Sequence, residues 1–207
     1  MEILERKFLP TQTRSSHAAT IAFHNGNPVF SWFGGTTEGA GDVFIHIYDL
    51  NKSKEIIKIG DNDNIPRWNP ILVPVKDKLF LFTRMGAFCD RWQTLIHDIT
   101  DWCGEIPNKE ILATAKTLPS GLNGPVKTKP IFIGNRMFCG SSVETFYDWT
   151  SYVEEYDISK GDICFRERSN PLGVLEKNTY VVFSGVTKRS LGIIQPSLWI
   201  DNNEGVF

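Results

Sequence analysis

The sequence predicts an all-β protein of four-stranded antiparallel units, and three observations indicate this fold class. Alternating strands that end on an acidic residue occur three times, at residues 42–49, 91–98 and 150–157. A hairpin pattern precedes each of them, and the i, i+3, i+4 periodicity of amphipathic helices is nearly absent. Units of roughly 40 to 60 residues that recur along a chain are typical of propeller blades or stacked arrays. Since four antiparallel strands make one blade, we expect a β-propeller.

The first unit begins with the clearest hairpin in the chain. Residues 17–33 read as a strand, an Asn25-Gly26 turn and a second strand. Asn-Gly is the dipeptide that favours a tight two-residue hairpin turn. The acidic-ended strand at residues 42–49 follows, and residues 55–59 supply a short fourth strand. The unit therefore has the four strands that one blade needs.

The later units repeat this order with other turn residues. The second hairpin covers residues 69–84, the third covers residues 129–142, and a fourth begins at residue 195. Their turns are expected at residues 76–78, 134–135 and 202–205. We therefore expect one propeller domain over residues 1–207. Its blades are expected at about residues 15–60, 67–116 and 127–170, with the start of another at 191–207.

The number of units raises the question of closure. Propellers close with about four to eight blades, whereas this sequence holds three complete units and the opening of a fourth. We expect an incomplete propeller. It would be a truncated or split product, or a protein that closes with a second chain or by self-association.

Composition and charge exclude several function classes. The net charge of -2 and the pI near 6.1 argue against nucleic acid as a partner. No apolar run approaches the length that spans a membrane, and no signal-peptide pattern opens the chain, so a cytoplasmic protein is the default. The four cysteines have no metal-binding spacing. We expect them to be buried thiols, and we expect neither a metal nor a cofactor.

Each inner strand starts with a polar residue, usually followed by proline. These residues are His17, Asn69, Lys129 and Gln195. The equivalent ends of inner strands converge on the axis of a propeller, so the four side chains are expected to face one pocket. The alternative is that a polar residue before proline only starts a strand, because proline is tolerated there.

Six ordered segments carry a resemblance to a known family. They are SSHAATIAF, SWFGGTTEGAGDV, RWNPIL, LPSGLNGPVKTKPIF, GSSVET and IIQPSLW. Together they resemble the sialidase-like family with bacterial-neuraminidase (BNR) repeats. The resemblance implies a six-bladed or similar propeller that acts on, or binds, carbohydrates. The sequence departs from true sialidases at Ser16-His17-Ala18, where those enzymes carry an Arg-Ile-Pro motif.

The glycine-rich loop after the first hairpin holds the candidate proton donors. By resemblance, residues 34–42 lie where sialidases place their acid/base carboxylate, which makes Glu38 or Asp42 the candidate acid. Such an acid needs a raised pKa to act near neutral pH. His17 is the best candidate base, since histidine titrates near neutral pH. Alternatively, Asp42 caps the third strand, Glu38 is merely solvated and His17 is structural.

The remaining candidates are substrate-binding residues. Arg67 and Lys129 are cations near blade starts, and cations around one pocket suit an acidic sugar. Glu144 lies in the loop that corresponds to the loop of Glu38, so it is the candidate second carboxylate. Asn69 and Gln195 complete the predicted set. Surface solvation is the alternative role for the cations.

Three functions fit these residues. The first is a sialidase-like hydrolase that acts on a terminal acidic sugar. The second is a uronate-specific polysaccharide lyase on the same propeller, in which His17 removes a proton and a cation neutralises the uronate. The third is a carbohydrate-binding module or an inactive remnant.

Overall fold

The fold is seen in a computed structural model. It describes residues 6–11, 13–50, 54–60, 64–101, 115–145, 149–172, 179–183, 186–190 and 193–201. At residues 54–57, 179–183 and 186–190 it describes the backbone alone. In the described part of the chain, no helix is long and apolar enough to cross a membrane.

Three four-stranded antiparallel sheets form the body of the protein, as predicted. The first, blade 1, has the order β1 (Ser15–His24), β2 (Asn27–Gly35), β3 (Phe44–Asp49) and β4 (Lys54–Ile59). Blade 2 has β5 (Arg67–Val75), β6 (Lys78–Met85), β7 (Gln93–Asp98) and β8 (Lys116–Thr117). Blade 3 has β9 (Ile131–Ile133), β10 (Arg136–Glu144), β11 (Trp149–Asp157) and β12 (Cys164–Arg168). A short 3-10 helix, Cys89–Arg91, precedes β7.

The acidic ends of the repeated strands occupy equivalent places in the three blades. Their cross-strand pairs are Asp49 with Val29, Asp98 with Phe80 and Asp157 with Arg136. The residue after each acid donates its N–H to the carbonyl just before that partner: Leu50 to Pro28 (3.2 Å), Ile99 to Leu79 (2.9 Å) and Ile158 to Asn135 (2.9 Å). The sequence repeat is therefore a structural repeat with one shared corner geometry.

The hydrophobic core consists of two layers between successive blades. The first layer joins residues of blade 1, such as Phe33 and Ile45, to Leu72 and Leu81 of blade 2. The second joins the opposite face of blade 2, including Phe82, to blade 3. Blade 2 is thus apolar on both faces, which is why its strands read as nearly continuous hydrophobic runs. This face-to-face stacking of blades is the packing of a propeller.

The hairpin turns in the described chain are those the sequence predicts. Asn25 and Gly26 both have positive φ, 50° and 76°, which the tight hairpin turn requires. Lys76 and Gly134 turn the next two hairpins, with φ of 56° and 57°. The predicted turn at residues 202–205 lies outside the described residues.

Two features differ from expectation. A further hairpin, β13 (Thr179–Phe183) with β14 (Val186–Ser190), was not foreseen. The expectation of buried thiols is wrong for Cys164, which is exposed on the outer strand of blade 3, whereas Cys139 is buried. The outer strand has a solvent face, so a small apolar residue is tolerated there without burial.

The starts of the inner strands are irregular in a consistent way. The β1–β2 and β5–β6 registers shift at Ala18 and Asn69, whose φ values are 51° and 40°. When residues are counted from the cross-strand pairs that adjoin the acidic strand ends, Ala18, Asn69 and Lys129 occupy corresponding positions in blades 1, 2 and 3. His17 therefore lies one residue before the place that the sequence assigns to it. The sequence pattern misses this because blade 1 has Ala19 where the other two blades have Pro70 and Pro130, so no proline marks the place.

Candidate functional site

A pocket opens at the start of β1, at the same end of blade 1 as the glycine-rich loop. It has a volume of about 280 Å³ and is lined by His17, Trp32, Ser16 and Leu9, among others. The imidazole Nδ1 of His17 lies 3.9 Å from Glu38 Oε2. Its Nε2 lies 2.7 Å from Ser15 Oγ. The structure thus brings together two of the predicted catalytic residues, His17 and Glu38, and both side chains remain exposed.

Three hydroxyl groups form the wall beside this pair. Thr11, Thr13 and Ser16 hydrogen-bond to one another through their hydroxyl oxygens at 2.9 to 3.1 Å. They crowd against Gly34, where a Cβ would lie 2.4 Å from Thr13 Oγ1. Glycine is therefore required at this position so that the hydroxyl cluster can close against β2. Hydroxyl groups can both donate to and accept from a sugar, so this wall is chemically suited to carbohydrate.

Asp42 closes the glycine-rich loop. Its carboxylate accepts hydrogen bonds from the N–H of Thr36, at 3.2 and 3.1 Å to the two oxygens, and from the Thr36 hydroxyl. These bonds lower the pKa of Asp42, with the hydroxyl bond as the largest cause. A lowered pKa is the opposite of what a general acid needs. The geometry therefore favours Asp42 as a loop residue and leaves Glu38 as the carboxylate at the pocket.

A row of aromatic rings runs from His17 on blade 1 to blade 2. His17 stacks on Phe33 with ring centroids 5.4 Å apart, and Phe33 meets the edge of Trp68 at 5.4 Å. Trp68 in turn stacks on Trp92 at 6.1 Å. Of these rings, Phe33 is the one that contacts the His17 ring, whereas Trp68 and Trp92 lie farther along the row. The sequence analysis did not identify Trp92, because the corresponding residues of the other two repeated segments, Val43 and Ser151, are not aromatic.

Arg67 is part of the core rather than a side chain of the pocket. It is 2% exposed, and its Nη1 donates to the carbonyl of Ile65 at 2.8 Å. Its side chain packs on Gly60, where a Cβ would lie 2.7 Å from Arg67 Cγ. In this position the guanidinium supports the connection between blades 1 and 2.

Lys129 crosses the axis and ties three blades together. Its ammonium nitrogen donates to the carbonyl of Ile21 on blade 1 and, at 3.0 Å, to the carbonyl of Leu72 on blade 2. Desolvation lowers the pKa of Lys129 to about 8, although the residue as a whole stays exposed. One of the three ammonium N–H donors is left for another oxygen.

Asn69 is held by a buried arginine, Arg84, which is not among the residues that the sequence predicts for the site. Arg84 is fully buried, and its Nη1 donates to the Asn69 carbonyl at 2.8 Å. Its Nη2 donates to the carbonyls of Asn123, at 2.6 Å, and Pro125. Burial lowers the pKa of Arg84 to about 10, so it stays protonated at neutral pH. No sequence signal separates such an arginine from a solvated one.

A buried carboxylate completes this network. Glu154 accepts hydrogen bonds from the N–H groups of Asn123 (3.2 Å) and Gly124 (2.9 Å). It also accepts from the hydroxyls of Ser141 and Tyr156, both at 2.6 Å. Burial raises the pKa of Tyr156, so its hydroxyl remains a donor. Glu154 is therefore satisfied on both oxygens and holds the segment that Arg84 holds from the other side.

The last two predicted residues lie at blade 3. Glu144 ends β10 and accepts from the Ser142 hydroxyl at 3.1 Å. Gln195 has a φ of 57°, and the carbonyl of the next residue, Pro196, accepts from the Thr128 hydroxyl at 2.8 Å. This bond brings Gln195 to the chain segment that carries Lys129. Among the described residues, no group of three or more His, Cys, Asp or Glu side chains could hold a metal ion.

Comparisons with known proteins agree with this architecture. Among solved structures, the chain is similar to a subtype N10 neuraminidase-like protein of A/little yellow-shouldered bat/Guatemala/060/2010, with a TM-score of 0.52 and 14% identity over 86% of this chain and 51% of that one. It is also similar to a neuraminidase-like protein from A/bat/Guatemala/164/2009, with a TM-score of 0.53 and 14% identity over 86% of this chain and 44% of that one. The chain thus spans about half the length of these two proteins.

A third similar structure is that of a glycosidase. The α-L-arabinofuranosidase from Lactobacillus brevis matches with a TM-score of 0.52 and 10% identity over 92% of this chain and 74% of that one. At these identities the similarity shows the fold alone. No curated protein sequence matches the chain significantly. Residues 26–206 match the family model described as BNR repeat-like domain, and the chain therefore belongs to this family, as its sequence segments predict.

Proposed function

We propose that this chain carries the site of a sialidase-like glycoside hydrolase that acts on a terminal acidic sugar, with Glu38 as proton donor and His17 as its partner. The observation that carries the proposal is the 3.9 Å approach of Glu38 Oε2 to Nδ1 of His17, a residue that lines the pocket. Membership of the BNR repeat-like family and the glycosidase fold of the similar structures support it.

The two side chains have complementary tasks in this reaction. Glu38 would protonate the glycosidic oxygen as the bond to the leaving group breaks, and water would supply the new hydroxyl group at the anomeric carbon. The proton that this water releases would return to Glu38, with His17 exchanging protons with the carboxyl group between turnovers. The 3.9 Å separation is longer than a hydrogen bond. Catalytic contacts are often loose before substrate binds, and both side chains are exposed enough to close the gap by rotation.

The acidic character of the sugar rests on charge near the axis. Arg67 is buried and engaged with Ile65, so it does not serve as a clamp. Lys129 keeps one donor beyond its two carbonyl bonds, and its ammonium can contact a sugar carboxylate. Glu144 remains the candidate second carboxylate. Its distance from Glu38 in a substrate complex would separate retaining from inverting hydrolysis.

The direct test is hydrolysis of a chromogenic sialoside by the purified chain. We expect Glu38→Gln and His17→Ala to lower kcat by at least about 100-fold without loss of folding. Glu167→Gln, an exposed change on the outer strand of blade 3, is the matched control and should retain full activity. Equal rates in the wild type and Glu38→Gln would refute the role of Glu38.

A second candidate, β-elimination of a uronate, is favoured by one contact. Ser15 Oγ lies at hydrogen-bond distance from His17 Nε2, 2.7 Å, which orients the ring so that Nδ1 faces the Glu38 side of the pocket. A histidine held in this way suits the base of a lyase. Incubation with trigalacturonate distinguishes the two reactions: only elimination produces the ultraviolet absorbance of an unsaturated uronate. Binding of either sugar without turnover would indicate a binding module.

A further inference from the structure

Trp68 stands next to Asn69 at the start of β5, but its ring is closed to a ligand. It is 7% exposed, and its Nε1 donates to the carbonyl of Gly86 at 2.8 Å. The edge of the ring contacts Phe33, and one face lies on Trp92. A sugar therefore has no access to a face of Trp68.

Trp92 is the outer member of the same stack and keeps accessible surface. It packs against the first core layer while remaining only partly buried. The two indole planes are inclined by 29° at a centroid distance of 6.1 Å, so Trp68 supports Trp92 nearly face to face. Gly86 lies beside it: a Cβ there would be 3.4 Å from Trp92 Cδ1. The indole is thus held in one orientation before any ligand arrives.

The topology places Trp92 on the same rim as the His17–Glu38 pair. Trp92 lies between β6 and β7, at the end of blade 2 where Arg67 pairs with Met85. The pair lies at the corresponding end of blade 1, where Ser15 pairs with Gly35. The aromatic row of His17, Phe33, Trp68 and Trp92 connects the two positions without interruption.

We propose that Trp92 is the stacking platform of a second sugar subsite, which takes a neutral pyranose ring linked to the acidic sugar at His17 and Glu38. The inference rests on the proposed function. A planar indole offers apolar contact to the C–H face of a pyranose, and an immobile ring loses little conformational entropy when the ligand stacks. The expected ligand is an oligosaccharide with a terminal acidic residue rather than a free monosaccharide.

Titration calorimetry with two probes tests the subsite. Methyl α-sialoside has one ring, whereas 3′-sialyllactose carries two further neutral rings. The wild-type chain should bind 3′-sialyllactose about three- to tenfold more tightly than methyl α-sialoside, which is the size of one aromatic stacking contact. Trp92→Ala should remove that difference and leave the affinity for methyl α-sialoside unchanged. Trp92→Phe, which keeps a ring, should retain most of the difference. Trp199→Ala is the control for the loss of an exposed tryptophan and should bind both probes as the wild type does.

The outcomes separate this inference from the proposed function. If methyl α-sialoside binds, but the preference for 3′-sialyllactose is absent or persists in Trp92→Ala, the subsite is refuted and the proposed function stands. If neither probe binds the wild-type chain, both are refuted. Melting temperatures of all variants are measured in parallel. Should Trp92→Ala unfold, Trp92→Leu takes its place, because leucine fills space without offering a ring: loss of the difference in Trp92→Leu supports the subsite, and its persistence refutes it.

Discussion

Replacement of Lys129 by methionine should change how stability depends on pH. The unfolded chain keeps the lysine proton up to its ordinary pKa of 10.5, whereas the folded chain releases it near pH 8. Between these two values the unfolded state binds more protons, so the free energy of unfolding rises with pH. Lys129→Met lacks the titrating group and should lack this rise.

The structure sets the expected size of the difference. The interval from 10.5 to about 8 corresponds to about 3.4 kcal/mol at 1.36 kcal/mol per pKa unit. The residue remains in contact with solvent, and the two carbonyl contacts to Ile21 and Leu72 favour the charged form. Both effects reduce the figure to about 1 kcal/mol.

Urea denaturation at pH 7, 8, 9 and 10 measures this quantity directly. The wild type should gain about 1 kcal/mol relative to Lys129→Met across the range. Lys127→Met removes an exposed lysine two positions away and should follow the wild type. Parallel pH profiles for the wild type and Lys129→Met would refute the placement of the ammonium between the inner strands.

Three further substitutions test the packing between blades. Arg84→Met leaves buried carbonyls without their donor and should lower the free energy of unfolding by about 3–5 kcal/mol in urea titrations; a loss below about 1 kcal/mol would contradict the network. Leu81→Ala opens a cavity in the first core layer and should cost about 2–5 kcal/mol, measured in the same way, whereas a surface site would cost almost nothing. Gly124→Ala should cost more than Gly134→Ala: φ is positive at both, but only at Gly124 would a Cβ meet the Phe82 ring, at 2.9 Å. Equal melting temperatures for the two glycine variants would disprove the close approach.

The blade architecture could be predicted because its signals are local. Asn25-Gly26 specifies a tight turn, and Asp98 ends its strand by accepting from the N–H of Thr100 at 3.1 Å, as Asp157 does from that of Ser159 at 2.7 Å. Such contacts depend on neighbours in sequence, so they leave a pattern that repeats with the blades. The β13–β14 hairpin also has a local signal, Ser184-Gly185 between two strand-forming runs. It was not predicted because this hairpin lies outside the three repeated units.

The candidate site was predicted less completely because its contacts are not local. Ala18, not His17, takes the place that corresponds to Asn69, and blade 1 has no proline after it to mark that place in the sequence. Arg67 and Arg84 have the same sequence signature as surface cations, yet both are buried between blades. Only the fold determines which charged side chain faces solvent. The approach of His17 to Glu38, by contrast, follows from their positions at the same end of the first hairpin.

The central claim is that a sugar binds at the His17–Glu38 rim, and the NMR signals of the histidine rings test it most directly. His17 stands at one end of β1 and His24 at the other, where it lines a separate cavity of about 160 Å³ between the hairpin turn and blade 2. On titration with methyl α-sialoside, the ring signals of His17 should shift in a saturable way while those of His24 stay in place. A His17 ring that does not respond while the sugar binds, or a response at His24 alone, would contradict the account.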